Sequence, residues 1–80
     1  MEIDEMIREI LGEVQDCSAI MNDTPLLEGG FLDSISILYL ITELEANLDV
    51  IIPLEQITEK NFATIDKIKA FVQECITRKK

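Results

Sequence analysis

Apolar residues at Ile3, Met6, Ile7, Ile10, Leu11, Val14 and Cys17 recur in alternating steps of three and four. That spacing puts them on one face of a helix, and it predicts a first helix running from Ile3 to about Cys17. The opposite face carries Glu2, Asp4, Glu5, Arg8, Glu9 and Glu13. It is mostly acidic, and the acids of the first turn suit the positive end of the helix dipole. The period then fails from Ser18 to Asp33, where Asn22, Asp23, Pro25, Gly29 and Gly30 gather. A long loop is predicted there. Loops of that length are unusual in a small domain, so this one is expected to be tied down by its own apolar residues Ile20, Leu26, Leu27 and Phe31.

Asp33 is a suitable N-cap for a second helix, with Leu32 before it and Ile37 four residues after it spaced as a hydrophobic staple. The helix is predicted to start at or next to Ser34 and to run to about Leu48, with Ile37, Leu40, Ile41, Leu44 and Leu48 as its inward stripe. Ile35, Leu38 and Tyr39 fit that stripe poorly, and large apolar side chains at the start of an otherwise polar surface suggest a contact patch. Asn47 and Asp49 close the helix, Val50 to Ile52 is extended, and Pro53 permits at most a helical start. A short irregular or single-turn helix across Leu54 to Phe62 follows. Thr64 can then cap a last helix with Ile65, Ile68, Phe71, Val72, Cys75 and Ile76 on its apolar face. Arg78, Lys79 and Lys80 fall at its negative end, where cations are stabilising. The expected fold is all-α: a small three-to-four-helix bundle with a long loop between helices one and two and a short third helix.

The chain has 80 residues, which leaves room for one domain, residues 1–80, with one modest core. An enclosed substrate chamber does not fit that size, so an enzyme is disfavoured. The longest apolar run, Ile37 to Ile41, is far short of a bilayer span, and the acidic start lacks the basic region of a secretory signal. A cytoplasmic protein without membrane insertion is expected. Cys17 and Cys75 both fall near an apolar helix face and are expected to act as small buried hydrophobes rather than as a disulfide or redox pair. With no His and no Cys-x-x-Cys spacing, a zinc site lacks ligands, and no metal is expected.

Charge changes the picture most. There are 16 acids against 7 bases, a formal net charge of −9, and no Lys or Arg stands between Arg8 and Lys60. A field of that sign repels nucleic acid and anionic lipid and attracts basic protein surfaces toward the middle of the chain. The same acidity also keeps a small protein soluble.

Within that acidic middle, Leu32-Asp33-Ser34-Ile35-Ser36 places a serine at the start of a helix, directly after an aspartate and a long loop. A helix N-terminus offers free N–H groups and partial positive charge, which suit an anionic phosphodiester on that serine's oxygen. The plainer reading is that Asp33-Ser34 is only a capping pair.

Glu28, Gly30, Asp33, Ser34 and Ile35 together resemble the signature of the acyl carrier and peptidyl carrier family: an acid, a glycine, then Asp-Ser-hydrophobic opening the second helix. Asp49-Val50-Ile51-Ile52-Pro53 is similar to that family's stretch after helix two. Ile57-Thr58 with Asn61-Phe62-Ala63-Thr64-Ile65 is similar to the entry to its last helix, so the resemblance spans roughly Met6 to Val72. It implies 4′-phosphopantetheine, moved from coenzyme A to Ser34 by a phosphopantetheinyl transferase, with Asp33 beside it. It also implies a thiol that holds an acyl or aminoacyl group as a thioester, in a carrier that catalyses nothing itself.

The implied partners are that transferase, an acyl- or aminoacyl-activating enzyme, and a downstream acyltransferase or synthase with a basic docking surface. They would meet a monomeric carrier on helix two, at Ile35, Leu38, Tyr39, Glu43 and Glu45. Tyr39 stands where fatty-acid-synthesis carriers often have an acid, and the Gly-Phe-Leu-Asp-Ser and Ile-Thr-x-x-Asn-Phe stretches look closer to D-alanyl and specialised-pathway carriers. The rival reading is an unmodified helical interaction module in which Ser34 only caps helix two. A calcium loop is disfavoured because the Asp-x-Asp-x-Asp-Gly spacing is absent between Asn22 and Asp33.

Overall fold

Three helices form where the apolar period is strongest: α1 (Ile3–Gly12), α2 (Ser34–Leu48) and α3 (Ile65–Lys79). The computed structural model describes residues 2–13 and 20–79, and no strand occurs among them. α1 packs against both of the other helices. Its buried face is Ile7, Ile10 and Leu11. α2 contributes Leu40, Ile41 and Leu44, and α3 contributes Ile65, Ile68, Phe71, Val72 and Cys75. This is the expected all-α bundle, and its interior is one continuous apolar cluster.

α1 stops earlier than its apolar period suggests. Helical backbone ends at Gly12, with Glu13 as the C-cap, whose N–H donates to the carbonyls of Ile10 and Leu11. Glycine weakens a helix because it gives up more backbone freedom than other residues. Val14 and Cys17, which also belonged to the expected stripe, lie outside the described residues. Of the two cysteines, Cys75 is a buried free thiol, and burial pushes its pKa up.

The loop before α2 is held at several points. Ile20 and Leu26 are buried, while Leu27 and Phe31 pack partly buried against the core. Arg8 of α1 donates to the Ile20 carbonyl at 2.6 Å and to the Asn22 side chain at 2.5 Å. The Asn22 carbonyl accepts from Asp66 N–H at 3.0 Å, and Leu26 N–H donates to the Ala63 carbonyl at 2.8 Å. The loop therefore spans from α1 to the start of α3 as a bonded strap, which satisfies backbone groups that a loop at this depth would otherwise leave unpaired.

α2 ends at Asp49, which adopts left-handed backbone with φ of 54° and ψ of 48°. After it, Glu45 of α2 reaches forward and accepts from Ile52 N–H at 2.9 Å, fixing the extended stretch to Pro53. The short irregular or single-turn helix expected across Leu54 to Phe62 takes the form of one 3₁₀ turn, Leu54–Gln56. The rest is turn and bend, organised by Asn61 Nδ2 donating to the Gln56 carbonyl and by Phe62 N–H donating to the Thr58 carbonyl. A side-chain bond to backbone such as that of Asn61 competes with helix formation. Thr64 caps α3 as expected, its hydroxyl accepting from Lys67 N–H at 3.1 Å. The radius of gyration is 11.5 Å, close to the roughly 12 Å of a compact domain this long.

Candidate functional site

The site grows from one helix terminus. Asp33 is extended, and its carboxylate accepts from Ser36 N–H at 2.8 Å. Its carbonyl accepts from Ile37 N–H at 2.8 Å, which starts the helical ladder. The Ser36 N–H, followed by the Ser36 hydroxyl, holds the Asp33 carboxyl below its usual range. Ser36 is itself buried. With the cap supplied by Asp33, the Ser34 side chain has no part in ending the helix and stands exposed at its first residue. Leu32 is buried and Ile37 partly so, on either side of the cap as a staple requires.

The approach to the cap is made by glycines. Gly30 has φ of +77°, a conformation that side chains resist, and its N–H donates to the Leu27 carbonyl at 3.2 Å. A Cβ on Gly29 would stand 2.8 Å from both the Pro25 carbonyl oxygen and the Phe31 ring. The carbonyl of Leu26 then accepts from both Phe31 and Leu32 N–H. Leu26 is tied in turn to Ala63, so the start of α2 is referred through the loop to the entry of α3.

Two shallow grooves open beside Ser34. One, about 370 Å³, is lined by Ser34, Ile37, Leu38, Leu54 and Ile57. The other, about 340 Å³, is lined by Leu27, Asp33, Ser34, Ile37, Ile57, Thr58 and Glu59. Ile35, Leu38 and Leu54 are 79%, 60% and 81% exposed, an apolar area too open to belong to the core.

The candidate contact residues of helix two separate. Ile35 and Leu38 face solvent. Tyr39 is half-buried, and its hydroxyl donates to the carboxylate of Glu13 and lies 3.2 Å from that of Glu43. Glu45 is also half-buried and holds Ile52 N–H, so it serves the turn after α2 as well as facing outward. No local pattern places Leu54, Ile57, Thr58 and Glu59 around Ser34, because only the tertiary fold brings the segment after Pro53 back to it. Their signal in the sequence was slight: an apolar Leu54 following a proline. In the sequence Glu13 is one acid of an acidic helix face, and no local pattern connects it to Tyr39.

An anionic group bonded to Ser34 would lie at the open N-terminus of a 15-residue helix, and the adjoining grooves leave room for a chain attached to it. These residues fit a phosphate-linked arm. Among the described residues no group of three His, Cys, Asp or Glu is placed to hold a metal ion, and no helix is long and apolar enough to cross a membrane.

Comparison with known proteins shows the family. Residues 2–72 match the family model described as the phosphopantetheine attachment site. Over 76 residues the chain is 32% identical to the D-alanyl carrier protein of Latilactobacillus sakei subsp. sakei (strain 23K), covering 92% of this chain and 97% of that protein. It is 34% identical to the D-alanyl carrier protein of Streptococcus suis (strain 98HAH33), covering 92% and 95%. The D-alanyl carrier protein of Listeria innocua serovar 6a (strain ATCC BAA-680 / CLIP 11262) is 30% identical, with 85% and 90% covered.

Proposed function

This chain belongs to the phosphopantetheine-attachment family of carrier proteins, and from that premise we propose that Ser34 bears the arm and that the cargo is an aminoacyl group, D-alanine foremost. The cofactor of the family is covalently attached 4′-phosphopantetheine. When bound it supplies a thiol on which cargo is held as a thioester.

The observation that carries the assignment to Ser34 is the division of labour at the start of α2. Asp33 caps the helix, so the hydroxyl of the next residue is spare, exposed and aimed from a terminus that favours negative charge. This counts against the reading in which Ser34 is merely a cap. In the attachment step the Ser34 oxygen forms a bond to phosphorus, the pyrophosphate link of coenzyme A breaks, adenosine bisphosphate leaves, and the hydroxyl proton passes to the transferase. Asp33, with its carboxyl held ionised by Ser36, keeps the helix start in place during that encounter.

The carrier's further task is presentation: a tethered group reaches each active site at high effective concentration. The proposed partners are the transferase, an enzyme that activates D-alanine or a related amino acid, and a downstream acyltransferase, all in the cytoplasm or at its boundary and meeting a single-domain monomer of residues 1–80. The exposed Ile35 and Leu38, with the acids of α2 beside them, support a docking surface for apolar and basic groups. The cargo rests on the resemblance to D-alanyl carrier proteins.

Intact mass separates the possibilities. Incubation with a phosphopantetheinyl transferase and coenzyme A is expected to add one phosphopantetheine, and Ser34→Ala to abolish the gain. A gain that survives that substitution sinks the assignment to Ser34. Loading the holo protein with D-alanine, L-alanine and a fatty-acyl group by their activating enzymes then tests the cargo, with D-alanine expected to load best.

A further inference from the structure

The two grooves at Ser34 differ in what they offer and in where they lead. The first is walled by Ile37, Leu38, Leu54 and Ile57, with no polar side chain except Ser34 itself. Two of its walls, Leu38 and Leu54, are more than half exposed. The second passes between the loop and the segment before α3, at Leu27, Ile57, Thr58 and Glu59. It continues through shared Leu27 and Glu59 into a third groove that also takes in Pro25, Glu28, Lys60 and Ala63.

We infer that the arm on Ser34 rests in this second path, along Leu27, Ile57 and Thr58, with the ammonium group of an aminoacyl cargo between Glu28 and Glu59. The inference builds on the proposed attachment at Ser34 and the aminoacyl cargo.

Three observations carry it. A pantetheine chain carries one dimethyl carbon beside a hydroxyl, then two amides joined by methylenes. Covering amides with apolar side chains alone costs free energy, whereas the Thr58 hydroxyl accepts from Asn61 N–H at 3.3 Å and keeps its own proton for donation. The apolar path would also lay the arm over Leu38 and Leu54, which belong to the exposed patch that partners are proposed to contact. The second path leaves that patch open. Finally, the far end carries two carboxylates against one ammonium, that of Lys60, and among the described residues neither Glu28 nor Glu59 is in an ion pair with it. That end is complementary to one added cation, which an aminoacyl thioester has and a fatty-acyl thioester lacks.

The test uses the full chain and two stable pantetheine analogues, one ending in a D-alanyl amide and the other in a propionyl amide of the same shape without the ammonium. Each is attached by the transferase and followed by the backbone amide spectrum. Both are expected to shift Leu27, Thr58 and Glu59 while leaving Leu38 and Leu54 close to the apo positions. Only the alanyl form is expected to move Glu28 and Lys60 further, and Glu59→Gln to remove that difference. Shifts centred on Leu38 and Leu54, or confined to the neighbours of Ser34, overturn the path. Equal shifts from the two analogues at Glu28 and Lys60 overturn the ammonium seat. Absence of a mass gain overturns attachment and this inference with it, whereas a mass gain without groove shifts overturns this inference alone.

Discussion

The hydroxyl of Tyr39 donates to the carboxylate of Glu13 across 26 residues of chain, joining the middle of α2 to the C-cap of α1. Glu43, one turn further along α2, presents a second carboxylate oxygen at 3.2 Å. A phenolate would face both. The bond to Glu13 comes first among the causes, with burial and the charge of Glu13 behind it, and together they push the Tyr39 pKa up from 10.0 to about 12. The unfolded chain therefore loses this proton before the folded one does. The stabilisation is fully present below pH 10 and is lost as pH rises toward about 12. A phenolate absorbance titration is expected to place Tyr39 near the upper value in the native protein and near the lower one in urea. Tyr39→Phe should lower the urea midpoint slightly at neutral pH and remove this part of the alkaline loss. Native and denatured titrations that coincide would show that the tie does not persist in solution.

Asp33 gives the opposite dependence at the acid end. Its carboxyl is held below the ordinary aspartate value of 3.8 by the Ser36 N–H and then by the Ser36 hydroxyl. The stability it supplies is present above that ordinary value and lost as pH falls through the lowered one. Asp33→Asn keeps an acceptor oxygen for the cap but has no charge to lose, so its acid unfolding curve should be flatter than that of the parent in this window. Asp33→Ala loses the acceptor and should be less stable at every pH. Parallel acid curves for the parent and Asp33→Asn would remove Asp33 as the source of the dependence.

These two side chains also mark how far a linear reading reaches. The cap at Asp33, the start at Ser34 and the end near Leu48 were legible because capping is local chemistry: an acid, a helix former and a stripe within a few residues. The tie from Tyr39 to Glu13 was not, since it depends on how α1 lies against α2. The period of α1 runs on to Cys17 although α1 ends at Gly12, because apolar spacing does not mark where a helix stops, and Val14 and Cys17 lie outside the described residues. Between Leu54 and Phe62 the expected single turn forms, but the sequence pattern did not say where in that stretch it would lie. There Asn61 and Thr58 bond to backbone groups in turns, and only Leu54–Gln56 coils.

Adjacent glycines in the approach to Ser34 should respond differently to the same change. Gly29→Ala places a Cβ 2.8 Å from the Pro25 carbonyl oxygen, a backbone atom that cannot turn aside. A cost of about 1–3 kcal/mol is expected, as for overpacking elsewhere. Gly30→Ala meets no atom within 4 Å but must adopt φ of +77°, for about 1–2 kcal/mol. Gly30→Asn should cost less than Gly30→Ala, because asparagine visits that region readily, while Gly29→Asn should be at least as harmful as Gly29→Ala. Urea midpoints of the four variants check the pattern. If asparagine proves no better than alanine at position 30, the left-handed turn is not what limits that position.

Phe62 connects the core to the attachment site. It is fully buried and meets Phe71 of α3 edge-on, with ring centroids 5.7 Å apart. The next residue, Ala63, accepts from Leu26 N–H, the bond that ties the loop before Ser34 to the entry of α3. Phe62→Ala is expected to cost about 3–5 kcal/mol, a large share of the roughly 4–12 kcal/mol that a chain this long can hold, and the cooperative transition should shrink or vanish. The milder Phe62→Leu keeps most of the volume and allows a local question. If the aromatic pair steadies the Ala63 carbonyl, hydrogen exchange at Leu26 should accelerate in Phe62→Leu by more than exchange at Leu44, deep in α2. Equal acceleration at both amides would mean that the substitution lowers global stability only. The loop would then be held chiefly by Arg8 and Asn22, and Arg8→Gln, which shortens the reach and removes the charge, should then release Leu26 more than Phe62→Leu does.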